Sequence, residues 1–116
     1  MPPSPETIHD LFSRQAALRP AAVALNAGAK VLTYGDLERR ANQLANRLLT
    51  LGLRVEDRVA VLAGRSPELV VAALATLKAG GAYLPIDPRQ PAARISFMIE
   101  DAGARVVLTE RRWEYL

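Results

Sequence analysis

The sequence predicts an α/β fold, in which an N-terminal hairpin precedes βαβ units that form a mostly parallel sheet flanked by helices. Three observations lead there. Residues 58–63, 82–86 and 106–108 are short, largely apolar runs with little alternation, the pattern of strands covered on both faces. Stretches with a helical repeat separate them, and parallel neighbours need crossovers of that kind. Proline and glycine stand at the joints, where helices begin and end.

Taken in order, residues 7–18 place Ile8, Leu11, Phe12 and Leu18 at helical spacing, and Pro20 supplies a stop. Val23 to Asn26 and Val31 to Thr33 then read as an antiparallel hairpin with Gly28 in its turn. The clearest helix follows, because Leu37, Ala41, Leu44, Ala45, Leu48 and Leu49 share one face and Glu38, Arg39, Asn42, Gln43, Asn46 and Arg47 the other. Thr33 and Asp36 have capping-box spacing, and Gly52 suits a left-handed end.

After the strand at 58–63, Ser66 is an N-cap with Pro67 at the first helical position. The helix through Lys78 has almost no polar face. Either more protein packs against it, or an alanine-rich helix lies tightly on its own sheet. Gly80 ends it, 82–86 is the next strand, and Pro91 opens a helix with Ile95, Phe97, Met98 and Ile99 expected inward. Gly103 closes that helix before the last apolar strand. Residues 111–116 show no periodicity, residues 1–5 are expected to be flexible, and no internal repeat occurs.

Composition excludes several function classes. The chain has 116 residues, enough for one modest core, and is 50% hydrophobic. Its charge of +3 comes from Arg and Lys scattered along the chain with few aromatics between them, which is not the footprint of a nucleic-acid binder. With no cysteine there is no disulfide, thiolate metal site or thiol nucleophile. The start has neither a basic nor an apolar signal region and no run spans a bilayer, so a cytoplasmic protein with no membrane partner is expected.

The residues that remain resemble a known family. Thr7-Ile-His-Asp-Leu-Phe12 with Arg19-Pro20 is similar to its opening helix and stop. Leu32, Thr33, Tyr34, Gly35, Asp36 and Leu37 resemble its first core motif, with Asp36 where Glu is usual. Leu77, Lys78, Ala79, Gly80, Gly81, Ala82, Tyr83, Leu84, Pro85, Ile86, Asp87 and Pro88 resemble its second. By these motifs the chain resembles the N-terminal part of adenylation domains of nonribosomal peptide synthetases, and its fold a partial large domain of an adenylate-forming enzyme.

The resemblance implies an ATP-dependent, amino-acid-activating ligase. The family joins a carboxylate to the α-phosphate of ATP with Mg²⁺ and passes the acyl group to phosphopantetheine on a carrier domain. The phosphate loop of Thr-Ser-Gly-Thr-Thr-Gly type, the nucleotide motifs, the substrate pocket and the catalytic Lys are expected beyond Leu116. Residues 1–116 are therefore expected to hold no catalytic, cofactor or metal residue and to be inactive alone. The implied partners are the remainder of the adenylation domain or another synthetase module. A different class stays open, a non-catalytic scaffold that pairs with a separate synthetase subunit.

Individual candidates read mainly as structure. His9 and Asp10 are adjacent and do not face each other on a helix. Gly80 and Gly81 close a helix, whereas a phosphate loop opens one. Lys78 complements a helix dipole, and Asp87 suits an Asx turn onto the Arg89 amide. Arg65 and Ser66 are closest to a ligand in expectation, since they follow a strand at its carboxyl end, with capping the favoured role of Ser66.

Overall fold

The computed structural model describes residues 8–27, 30–64, 66–109 and 113–115. Residues 1–5, the Gly28 turn, Arg65 and 110–112 with Leu116 lie outside that set. Helix α1 (Ile8–Leu18) leads into a hairpin of β1 (Val23–Ala27) and β2 (Lys30–Thr33). Helix α2 (Tyr34–Thr50) follows, then β3 (Arg58–Leu62), α3 (Pro67–Lys78), β4 (Ala82–Ile86), α4 (Ala92–Ala102), β5 (Val106–Thr109) and β6 (Trp113–Tyr115).

The larger sheet has the order β4-β3-β5-β6, with β3 parallel to both β4 and β5. Strand β6 pairs antiparallel with β5. Sequence pattern indicates no element there, because a three-residue strand is defined by its partner and not by any period of its own. Pro85 lies in β4, which pairs with β3 alone among the described strands; an edge tolerates its missing donor.

Alternation along the strands divides the core. Val59 and Val61 of β3, with Val106 and Leu108 of β5, join α2 and α3 on one face. Ala60, Val107 and Ile86 turn to the other face and meet Ile95, Met98 and Ile99 of α4. The result is three layers, two helices over a sheet over one helix. Most of α3 is covered within the chain, with Val71, Ala72, Leu74, Ala75 and Thr76 buried, which favours tight packing as the account of its apolar sequence. The Thr76 hydroxyl is satisfied by donating to the Ala72 carbonyl at 2.8 Å.

The helix ends form as the sequence predicts. The Thr33 hydroxyl accepts from the Asp36 amide at 3.1 Å and the Asp36 carboxylate accepts from the Thr33 amide at 3.3 Å. Gly52, Gly80 and Gly103 all have positive φ, at 95°, 85° and 65°. One cap is not local: the Arg58 guanidinium on β3 donates to the Ala102 carbonyl at the end of α4, at 2.6 Å.

Four apolar residues expected inward face outward. Phe97 is 60% exposed, Leu18 67%, Leu49 51% and Leu11 48%. In α4 the sheet-facing stripe is Ile95, Met98 and Ile99, and Phe97 stands off it. In α1 the inward positions are Phe12 and Ala16, and Ala16 fits where α1 lies close to the body. Helix α4 begins at Ala92, with Pro91 as the residue before the first turn.

Candidate functional site

Strands β3 and β4 run parallel with Leu62 beside Ile86, so their carboxyl ends leave the sheet together. The loops that follow enclose a cleft of ≈ 580 Å³ lined by Ala63, Gly64, Leu69, Pro85, Ile86, Asp87, Pro88 and Arg89. Ligands of open α/β sheets bind outside the carboxyl ends of strands, so this is the candidate site by position.

Its walls are mostly apolar and its rim is polar. The Asp87 carboxylate accepts from the Arg89 amide at 2.9 Å, the expected Asx turn, and pairs with the Arg89 guanidinium at 3.0 Å. Hydrogen bonds from Arg89 hold the Asp87 carboxyl below the usual carboxylate range, and the carboxylate holds the guanidinium above its ordinary value. The turn is an expectation of the sequence and the pairing is not. An Arg two residues after an Asx-turn Asp was the available signal. Both side chains are well exposed, so water screens the pair and its contribution to stability is small.

Ser66 is held as a cap. Its hydroxyl accepts from the Leu69 amide at 3.3 Å and contacts the Gly64 carbonyl at 3.4 Å, so the favoured structural reading applies. Arg65 is outside the described residues.

The other motif residues serve the framework. Leu37 and Ile86 are each 1% exposed, Ala79 is 6% exposed, and Leu32 packs against the main core. The Tyr34 ring lies 5.5 Å from that of Phe12, tilted by 46°. Leu77 is half-buried, Leu84 packs on the α4 side, and Ala82, Tyr83 and Pro88 are exposed. Gly81 has a steric role, since a Cβ there would sit 2.9 Å from the Asp57 carbonyl oxygen and 3.2 Å from Leu53.

Lys78 is far from the cleft. It ends α3, whereas Ser66 begins it, and a helix of 12 residues separates its ends by about 18 Å. Its ammonium is engaged by Glu38 and by the Ser13 hydroxyl at 2.9 Å. This cross-helix pairing comes in addition to its expected place in the last turn of α3, at the negative end of the helix dipole. His9, on α1, does not line the cleft.

Gly80 and Gly81 follow a helix, the Lys78 ammonium and the Asp87 carboxylate are both engaged within the protein, and no group of three or more His, Cys, Asp or Glu among the described residues is placed to hold a metal. Among the described residues no helix is long and apolar enough to cross a membrane.

The fold and cleft define a class, an open α/β sheet with its free loops at the carboxyl ends of parallel strands. Comparison narrows the class to a family. The family model described as AMP-binding enzyme matches residues 12–115. Bacitracin synthase 3 of Bacillus licheniformis is 47% identical over 107 residues, covering 92% of this chain and 2% of that protein. The nonribosomal peptide synthetase FmoA3 in its AMPPNP-bound form superposes with a TM-score of 0.89 at 38% identity, over 95% of this chain and 12% of the other. The NpsA N-terminal subdomain of Klebsiella oxytoca gives a TM-score of 0.81 at 30% identity, over 90% of this chain and 28% of the other. The chain belongs to the AMP-binding enzyme family and matches the N-terminal part of nonribosomal peptide synthetase adenylation domains. It spans only a small part of each relative's length.

Proposed function

We propose that this chain is the N-terminal framework of an adenylation domain that activates an amino acid. In that reading the whole domain joins the amino-acid carboxylate to ATP, with Mg²⁺ balancing phosphate charge, and passes the acyl group to phosphopantetheine on a carrier domain. This chain contributes the sheet β4-β3-β5 and its helices, not the groups that hold the triphosphate. The remainder of the domain, or another synthetase module, is its partner.

The observation that carries the reading is the superposition on FmoA3 across 95% of the chain, together with the internal use of Lys78 and Asp87, which would otherwise be catalytic candidates. In-line displacement at phosphorus needs donors and a metal fixed around the developing charge. A framework that holds the Lys78 ammonium on Glu38 does not offer that cation to a phosphate.

Amino-acid-dependent exchange of pyrophosphate into ATP tests this. The purified chain is expected to show none with any of the common amino acids. Measurable exchange, abolished by chelating Mg²⁺, would overturn the reading.

A further inference from the structure

Helix α4 is held differently from the helices on the other side of the sheet. It buries none of its residues, whereas α3 buries Val71, Ala72, Leu74, Ala75 and Thr76. Its first turn has no side-chain cap, and Phe97 stands off the sheet. Ile95, Met98 and Ile99 are only half-buried, yet beneath them Ala60 and Ile86 are sealed at 0% and 1% exposure. A helix that covers a sheet face with so little buried surface of its own belongs to the low-stability end of a fold, where an element opens without the rest.

Its attachments lie at its two ends. At the carboxyl end the Arg58 guanidinium donates to the Ala102 carbonyl at 2.6 Å, and the Arg58 carbonyl accepts from the Arg105 amide at 2.8 Å. At the amino end, residues 87–91 run from β4 into α4. Asp87, Pro88 and Arg89 of that loop also line the cleft at the strand ends, and Ile86 lines the cleft while lying under α4. The Asp87–Arg89 pair and the fixed φ of Pro88 and Pro91 leave the loop few soft bonds, so a displacement of the helix is passed to the rim of the cleft.

We infer that residues 87–102 act as a moving cover: α4 lifts off the sheet as a unit while α2, α3 and the strands stay folded, and the Arg58 guanidinium is its latch. Opening joins the apolar sheet face at Ala60, Ile86 and Val107 to the cleft, which thus has a closed and a widened form. The motion depends on the packing of this chain and not on which reaction the whole domain performs.

The chain has no cysteine, so one introduced thiol reports one position. Val106 and Val107 are neighbours on β5, 6% and 7% exposed, the first on the α2–α3 side of the sheet and the second on the α4 side. In the full chain, Val107→Cys and Ile86→Cys are expected to react with Ellman's reagent about tenfold or more faster than Val106→Cys, because lifting α4 frees only those two. Adding Arg58→Met is expected to speed both about tenfold and Val106→Cys much less. Amide hydrogen exchange of the chain with no substitution is expected to show α4 opening more readily than α2 and α3. The proposal is overturned if the three thiols react at one rate, if Ile86→Cys follows Val106→Cys, if Arg58→Met speeds all three alike, or if the α4 amides exchange in one unit with those of α2 and α3.

Discussion

The Lys78 ammonium at the end of α3 donates to the Glu38 carboxylate near the start of α2, and the same ammonium donates to the Ser13 hydroxyl of α1. Ser13 donates in turn to Glu38 at 3.0 Å, so one polar node ties three helices. The side chains are only 11% and 21% exposed, and the second Glu38 oxygen is buried with no hydrogen-bond partner among the described residues. Such a pair contributes little beyond an apolar replacement, yet losing one member strands the other.

Lys78→Met is therefore expected to destabilise the chain by about 2 to 4 kcal/mol. Adding Glu38→Gln should recover part of that loss, since the stranded charge is gone. Urea unfolding of the two variants checks this. A single variant within about 0.5 kcal/mol of the parent would show that the node does not hold the three helices together.

Gly81→Ala should cost about 1 to 3 kcal/mol, because the new methyl meets backbone at the Asp57 carbonyl and has no flexible neighbour there to displace. Gly52→Ala has nothing within 4 Å of its Cβ, and its cost is conformational, about 1 kcal/mol, from φ at +95°. Thermal unfolding should rank Gly81→Ala as the more damaging of the two.

The capping box gives a pH dependence. Hydrogen bonds from the Thr33 backbone, then the Thr33 side chain, then Arg39 hold the Asp36 carboxyl below its ordinary value of 3.8. A depressed folded value means that the contribution is full above 3.8 and is lost as the pH falls through the lower folded value. The melting-temperature gap between parent and Asp36→Asn is thus expected at neutral pH and should narrow at about pH 2. A gap that stays constant with pH would contradict it.

Ser66→Ala removes the acceptor for the Leu69 amide and is expected to lower stability by about 1 kcal/mol. Ser66→Asp restores an acceptor at the same helix end and should recover most of the loss. If Ser66 were instead a ligand contact only, neither change would move the unfolding midpoint.

Features that depend on neighbours in sequence were legible from it. The Thr33–Asp36 box, the Ser66–Pro67 start, the Asp87 turn and the left-handed ends at Gly52, Gly80 and Gly103 each follow from a few adjacent residues. The parallel strands β3 and β5 were legible because burial on both faces removes alternation. What stayed hidden was set by distant parts of the chain. Phe97 and Leu49 lie near the apolar stripes of their helices, and only the angle at which each helix meets its neighbours leaves them outside. The Lys78–Glu38 pair and the Arg58 cap on α4 join residues 40 and 44 positions apart, a distance at which no local period operates. For the candidate site, the sequence indicated the strand end at Ser66 and the Asp87 turn with Arg89 two residues on, while the cleft between the loops after β3 and β4 required the parallel register of those strands.

The central claim is that this chain supplies scaffold for an adenylation domain and does not choose or activate the substrate. The most direct measurement grafts residues 12–109 of this chain onto an adenylation domain of a relative such as FmoA3, in place of the matching segment, and follows pyrophosphate exchange across a panel of amino acids. The graft is expected to fold and to keep the recipient's amino-acid preference. A folded graft that prefers a different amino acid, or that loses exchange altogether, would contradict the claim.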